Sequence, residues 1–153
     1  MTMEDQNKID KILQDLPMEL HEQILIWLSR LQEQNSLVQA QSIKDTKDFA
    51  SLVKLIACSE FAANTFLQYW DWFAAQINLQ KFNSPLDRER LNILFSQLDK
   101  KNITEDLYLK KIRQIRNQCL VHILWRDIVC ECDLSETLSA LSPVSYTHLT
   151  LPT

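Results

Sequence analysis

The sequence contains no glycine. At the average usage of about 7%, roughly ten glycines are expected in a chain of this length. Glycine serves where the backbone must approach a phosphate closely or adopt a positive φ, as in P-loops, dinucleotide-binding turns and tight β-hairpins. Its absence excludes these nucleotide-binding loops and disfavours a sheet built from hairpins. Helices joined by short polar loops need no glycine, so the composition predicts an all-α protein.

Basic excess, long apolar runs and metal-binding cysteine motifs are also missing. The net charge of −4 argues against general nucleic-acid binding. No apolar run approaches the roughly 20 residues of a membrane span, and the polar, acidic N-terminus is unlike a signal peptide. The cysteines form no C-x-x-C pair and have no zinc-ligand spacing to the histidines, and Cys130 and Cys132 would point in different directions on a helix. We therefore expect a cytoplasmic protein with reduced thiols and no metal site, and neither nucleic acid nor membrane as a partner.

The longest helical pattern runs from Thr104 to Asp133. The Thr104 hydroxyl can cap a helix, and the acidic residues that follow it suit the positive helix end. The first half of the pattern is amphipathic. From Leu120 to Val129 the residues are apolar nearly all the way round, which is typical of a buried helix. We predict a multi-helix domain without a sheet around one long central helix, about residues 104–132, with Trp125 buried in the core.

Shorter amphipathic patterns and capping signals predict the other helices. Ser59 and Ser84 are expected caps, and Asp133 to Glu136 reads as a D-x-x-E capping box whose helix, with Leu138 on its apolar side, ends at Pro143. The expected helices are Glu4–Leu16, Met18–Gln34 with Leu31 on its apolar stripe, Phe49–Ala57, Glu60–Leu67, one opened by Ser84 and one opened by Asp133. The stretch Asn35–Thr46 is expected to be a linker or a frayed helix.

An aromatic cluster lies in a part of the chain that has no Lys or Arg between Lys54 and Lys81. Its members are Phe66, Tyr69, Trp70, Trp72 and Phe73. Aromatic residues interleaved with basic ones could stack single-stranded bases, but the basic half of such a site is missing here. Core packing is therefore the preferred interpretation.

Charged residues on the central helix allow two interpretations. Arg126 and Asp127 lie in its most apolar turns, where a charge needs a partner, and adjacent residues on a helix do not face each other. They form either a helix-positioning network, which we favour, or a site wall. The basic residues Lys110, Lys111, Arg113 and Arg116 form either a solvated face or a phosphate contact.

Cys119 and His122 have the spacing of a thiol–imidazole dyad. Catalysis by such a pair also needs an oxyanion hole and a residue that orients the base. The sequence supplies neither, so no catalytic, cofactor-binding or metal-binding residue is assigned.

Two blocks resemble the bacterial glutamine synthetase adenylyltransferase family. Residues 112–118, IRQIRNQ, followed by 123–128, ILWRDI, resemble its basic stretch and its I-W-R-D motif. Residues 133–138, DLSETL, with Leu141 and Ser142, resemble its D-L-x-E-T-L-x-x-L-S motif. Residues 58–63 resemble a further family segment, S-x-F-V-A. The residues that match the specific motifs are Arg113, Arg116, Trp125, Arg126, Asp127 and Glu136.

The resemblance implies an enzyme that adds AMP to, and phosphorolytically removes it from, a tyrosine of glutamine synthetase, with Mg²⁺ and ATP as cofactors. It also implies glutamine synthetase and the PII signalling protein as partners. The family's glycine-rich catalytic motif follows the matched blocks and is not in this sequence, so the chain is expected to be an inactive N-terminal fragment. The alternative is a non-enzymatic all-helical interaction module.

These observations divide the chain into three parts. Residues 1–45 are expected to form a variable helical leader, and residues 46–142 the helical domain that precedes the first nucleotidyltransferase domain. Residues 143–153 lack helical periodicity and resemble a translated adapter sequence. We interpret them as a foreign tail without regular structure, a natural divergent C-terminus being the alternative.

Overall fold

The computed structural model describes residues 3–33, 43, 45–98 and 101–149 of the chain. These residues form eight α-helices and no β-strand, which confirms the predicted all-α class. The helices are α1 (Met3–Gln14), α2 (His21–Glu33), α3 (Thr46–Cys58), α4 (Glu60–Gln68), α5 (Trp70–Asn78), α6 (Arg88–Ser96), α7 (Glu105–Leu124) and α8 (Leu134–Leu149). Short 3₁₀ turns occupy Met18–Leu20 and Lys81–Asn83. Among the described residues, no helix is long and apolar enough to cross a membrane.

The chain divides into two compact units, Met1–Lys81 and Phe82–Thr153. The boundary between the two units follows Lys81, whereas the expected boundary lies between residues 45 and 46. Most of the expected linker, Asn35–Thr46, lies outside the described residues. At its end, Asp45 caps α3 by accepting a hydrogen bond from the Lys47 amide, so Thr46 belongs to the helix.

The first unit packs α2, α3, α4 and α5 in sequence order around an aromatic core. Phe66 and Phe73 are fully buried, with ring centroids 4.5 Å apart. Trp70 is also buried, and its ring lies 6.5 Å from that of Phe66. Three members of the predicted aromatic cluster, Phe66, Trp70 and Phe73, are therefore core, whereas Tyr69 and Trp72 are half-buried. On α2, Ile24 and Trp27 are buried, whereas the side chain of Leu31 lies outside the described residues.

The second unit is built around α7, which packs against both α6 and α8. Thr104 caps it by accepting from the Leu107 amide, as predicted. The helix continues into a π-helical turn, Trp125–Val129, so the central helix ends slightly before the predicted residue 132. A buried apolar cluster lies beside α7 and draws residues from α6, α7, α8 and the segment before α6: Leu86, Leu91, Cys119, Ile123 and Val144.

Two of the capping predictions need correction. Ser84 does not cap a helix; α6 begins at Arg88, where the Asp87 carboxylate accepts from the Arg90 amide. Asp133 caps α8 by accepting from the Glu136 amide at 2.8 Å, but the Glu136 side chain does not return to complete the box, because it binds elsewhere. Ser59 caps α4 as predicted.

Helix α8 does not end at Pro143, contrary to the prediction. Pro143 has no N–H to donate to the preceding turn, which normally weakens a helix interior. Here the helix continues to Leu149, and Val144 is buried in the cluster beside α7. The expectation that residues 143–153 lack regular structure is therefore wrong up to Leu149, and residues 150–153 lie outside the described part. Leu138, expected on the apolar side, is 54% exposed.

Candidate functional site

The candidate site lies at the corner where α7 ends and α8 begins. The π-helical turn is closed by the Cys130 amide, which donates to the carbonyl of Trp125 at 3.1 Å. The Cys132 amide then donates to the carbonyl of Arg126 at 3.0 Å, and Glu131 adopts φ 52° between them. A left-handed residue commonly ends a helix in this way, but the position is usually glycine. In a chain without glycine, a glutamate occupies it.

Arg126 binds Glu136 through two parallel hydrogen bonds. Its Nε donates to Oε2 at 3.1 Å and its Nη2 to Oε1 at 2.7 Å, so the guanidinium and carboxylate form a fork that fixes both planes. The Arg126 Nη1 donates to the carbonyl of Asn83 at 2.9 Å. These three bonds tie the end of α7 to the start of α8 and to the segment before α6.

Asp127 binds the residue that follows Glu136. Thr137 Oγ1 donates to Asp127 Oδ1 at 3.1 Å. The Thr137 oxygen also lies 3.4 Å from Cys132 Sγ, a contact in which either atom can donate. We call the set Arg126, Asp127, Cys132, Glu136 and Thr137 the corner network.

The corner network resolves a difficulty raised by the sequence, namely that adjacent residues on an α-helix do not face one target. Arg126 and Asp127 each bind a residue ten positions later, on the same first turn of α8. An i→i+5 ladder turns the chain less per residue than an α-helix does, so adjacent side chains diverge less. The π-helical turn therefore lets both residues face α8. These bonds connect the end of α7 to the start of α8, which is the arrangement that a helix-positioning network requires.

Electrostatics within the corner follow from these bonds. The hydrogen bonds from Arg126 lower the pKa of Glu136, and those same bonds raise the pKa of Arg126. Burial, followed by the hydrogen bond to the Glu136 carboxylate, raises the pKa of the Cys132 thiol. The ion pair is therefore charged at neutral pH, while the thiol keeps its proton.

His122 lies one turn before the corner and is buried. Its Nε2 lies 2.8 Å from the carbonyl of Ser84, and since a carbonyl only accepts, Nε2 carries the proton. Its ring centroid is 4.9 Å from that of Phe82. Burial lowers the pKa of His122 from 6.5 to about 4, so the imidazole is neutral at physiological pH. This bond gives Ser84 a role that its sequence context did not suggest.

Cys119 is a buried member of the apolar cluster. Burial raises the pKa of its thiol to about 12. Because the thiolate is the nucleophilic form, a thiol with this pKa is inert at neutral pH. Cys119 and His122 are therefore core residues rather than an activated dyad.

Trp125 is 3% exposed, which confirms its predicted burial. Its ring centroid lies 5.5 Å from that of Phe82. Within the described part of the chain, its indole Nε1 is buried without a hydrogen-bond partner. A buried donor without a hydrogen-bond partner destabilises the fold by about 1–3 kcal/mol. The packing of the ring must therefore offset this penalty.

The remaining residues of the resemblance lie apart from the corner. Arg113 is exposed on α7, and Arg116 is half-buried there. Neither takes part in the hydrogen bonds of the corner network described above. Sequence reasoning missed Asn83 and Ser84, which act through backbone carbonyls and therefore leave no side-chain signal. It also missed Thr137, although its spacing from Asp127 equals that of Glu136 from Arg126.

In chemical terms, the corner pairs its one cation with one carboxylate, since Arg126 binds Glu136 while the Asp127 carboxylate accepts from the Thr137 hydroxyl. Arg126 also donates to the Asn83 carbonyl. The described residues contain no group of three or more His, Cys, Asp or Glu side chains that could hold a metal ion. No family model, curated protein or solved structure matches the chain.

Proposed function

We propose that this chain is the helical segment that precedes the first nucleotidyltransferase domain in an enzyme of the glutamine synthetase adenylyltransferase family. Its role is to support that domain rather than to perform the reaction. One observation carries the proposal. The two sequence blocks that resemble the family, W-R-D and D-L-S-E-T-L, supply Arg126, Asp127, Glu136 and Thr137, which bond directly to one another.

That pairing gives the resemblance a physical reason. Matches at isolated surface positions would arise easily by chance, whereas a fork between a guanidinium and a carboxylate needs both residue types at a fixed geometry. The two motifs therefore work as one unit that sets the direction in which α8 leaves α7. A helix with a fixed direction is suited to hold a domain that follows it.

Chemistry belongs to the catalytic domain in this proposal. Nucleotidyl transfer needs carboxylates that hold Mg²⁺ against the phosphates, and backbone amides that approach the triphosphate. ATP, Mg²⁺, glutamine synthetase and the PII protein are therefore assigned to the complete enzyme, which we place in the cytoplasm. No residue of this chain is given a catalytic role.

A second candidate, a helical interaction module without a catalytic domain, is favoured by the start of α8. Leu134 and Leu138 are 70% and 54% exposed and lie four residues apart on one helix face. In the first proposal, this face receives the following domain. In the second, it receives a separate protein.

The gene distinguishes these candidates, and two assays test the absence of catalysis that both of them predict. Reading genomic DNA past the codon for Ser142 should show an open frame leading to a glycine-rich turn and paired aspartates. The isolated chain should show no heat of binding with ATP–Mg²⁺ and no removal of AMP from adenylylated glutamine synthetase. Turnover by the isolated chain would contradict the supporting role.

A chimaera tests the support directly. The chain is joined to the nucleotidyltransferase domain of a family enzyme whose own preceding helices have been removed, and AMP removal is measured. We expect activity in the chimaera, its loss in L134S/L138S, and its retention in I93S, a matched control because Ile93 is 52% exposed on α6. An inactive chimaera, or equal activity in all three, would contradict the proposal.

A further inference from the structure

The corner contains two thiols, one on each side of the left-handed residue that follows the helix. Cys130 and Cys132 flank Glu131, whose φ of 52° lies in the left-handed region. For a non-glycine residue, that φ is compatible only with left-handed helical backbone. Mirror-image helical geometry places the Cα atoms of the two neighbours about 5.4 Å apart. A disulfide needs a Cα separation of about 4.4–6.8 Å, so this spacing permits one.

The sequence suggested the opposite, because consecutive odd positions on an α-helix point in different directions. That expectation assumed an α-helix, whereas the π-helical turn ends at Val129 and both cysteines follow it. Both cysteines are free and half-buried, so small reagents can reach them. Cys119 is buried, and Cys58 belongs to the other unit.

Both thiols touch the corner network. Cys132 Sγ lies 3.4 Å from Thr137 Oγ1, and its thiol also hydrogen-bonds Glu136. The Cys130 sulfur interacts with the guanidinium of Arg126. A change in either sulfur therefore acts on the residues that join α7 to α8.

We propose that Cys130 and Cys132 form a dithiol redox switch whose oxidation to a disulfide loosens the first turn of α8. The oxidant is a low-molecular-weight disulfide. The switch does not depend on which enzyme the chain belongs to, since every group in it is supplied by this corner.

The chemistry proceeds by two exchange steps. The Cys130 thiolate attacks one sulfur of the small disulfide, breaks its S–S bond and releases one small thiolate, which takes a proton from water. Cys132 then loses its proton to solvent and attacks the Cys130 sulfur, which releases the second small thiolate. In sum, two protein thiols give up two electrons and two protons, and one small disulfide becomes two small thiols.

The order of attack follows from the surroundings. The Cys132 sulfur lies 3.4 Å from Thr137 Oγ1 within the corner network, so we assign the first attack to Cys130. Forming the bond moves Cys132 Sγ to within about 2.05 Å of the other sulfur, with a Cβ–S–S–Cβ dihedral near 90°. It must therefore leave Thr137 and Glu136.

The experiment equilibrates the chain with mixtures of oxidised and reduced glutathione, in a Cys58→Ser background. Alkylation followed by intact mass distinguishes an internal disulfide from a glutathione adduct. Amide exchange is then measured at Glu136 and Thr137, whose amides bond Asp133. We expect an internal disulfide and about fivefold faster exchange at both amides, the factor for losing one ordinary hydrogen bond.

Two matched variants, C130S and C132S, keep a polar group at each position and should form glutathione adducts only, with exchange unaffected by oxidant. The reduced and oxidised forms of the background chain give the same comparison without either substitution. If the background chain forms adducts alone at every glutathione ratio, or if the internal disulfide leaves the exchange rates unchanged, the switch is overturned.

Discussion

Replacing Trp125 tests the placement of the central helix most directly. The indole is 3% exposed and packs against Phe82, so truncation to alanine leaves a cavity at the end of α7. Truncating a large buried aromatic residue costs about 3–5 kcal/mol, of which the aromatic pair supplies about 0.5–1.5 kcal/mol. We expect W125A to lower the free energy of unfolding by that amount.

Phenylalanine at the same position gives the sharper result. W125F keeps a ring beside Phe82 and removes a buried N–H that has no partner in the described structure. The lost apolar area is destabilising, whereas removing an unpaired donor gains about 1–3 kcal/mol. We therefore expect W125F to lie within about 1 kcal/mol of the native chain, far from the loss expected for W125A.

Urea unfolding followed by far-ultraviolet circular dichroism measures both variants without relying on the indole signal. A W125A midpoint equal to that of the native chain would show that Trp125 is not in the core. If W125F proved as damaging as W125A, the indole N–H would have to be satisfied, and the packing argument would fail.

Three further predictions concern the same unit. Below pH 6.5 the unfolded chain binds a proton at His122 that the folded chain takes up only near pH 4. The free energy of unfolding should therefore be highest above pH 6.5 and fall by up to about 3 kcal/mol towards pH 4. An H122Q chain whose free energy of unfolding depends on pH in the same way would contradict this. E131G should be more stable than E131A by about 1 kcal/mol in urea unfolding, because both lose the side chain and only glycine favours positive φ; equal stabilities would contradict the left-handed assignment. V144A should lower the free energy of unfolding by about 2 kcal/mol. An unchanged urea midpoint would instead support the expectation that the tail lacks regular structure.

Local signals made the helices predictable. Ser59, Thr104 and Asp133 each accept a hydrogen bond from the amide three residues later, an interaction that needs only neighbours in sequence. The prediction that Ser84 caps a helix was wrong because it also used only neighbouring residues. The segment S-P-L-D contains two residues that could cap a helix. In the structure Asp87 is the cap, and the Ser84 carbonyl accepts a hydrogen bond from His122, which is distant in sequence.

The corner shows where sequence reasoning stops. The prediction that Arg126 and Asp127 need partners assumed that both charges are buried, whereas Arg126 is half-buried and Asp127 is exposed. Both nevertheless bind residues of α8. Nothing in the local sequence identifies Glu136 as a partner, because its position predicts a capping role instead. The sequence analysis did not predict the π-helical turn either, because a continuous α-helical pattern was expected through Val129. Pro143 argued for a helix end, and burial of Val144 outweighed it.

The division of the chain at Lys81 has a spectroscopic consequence. Of its four tryptophans, Trp27, Trp70 and Trp72 precede the division, and only Trp125 follows it. Indole emission during denaturation is thus weighted towards the first unit, whereas ellipticity reports helices from both. Superimposing the two melting curves therefore measures directly whether the halves lose their structure as one cooperative block or in succession.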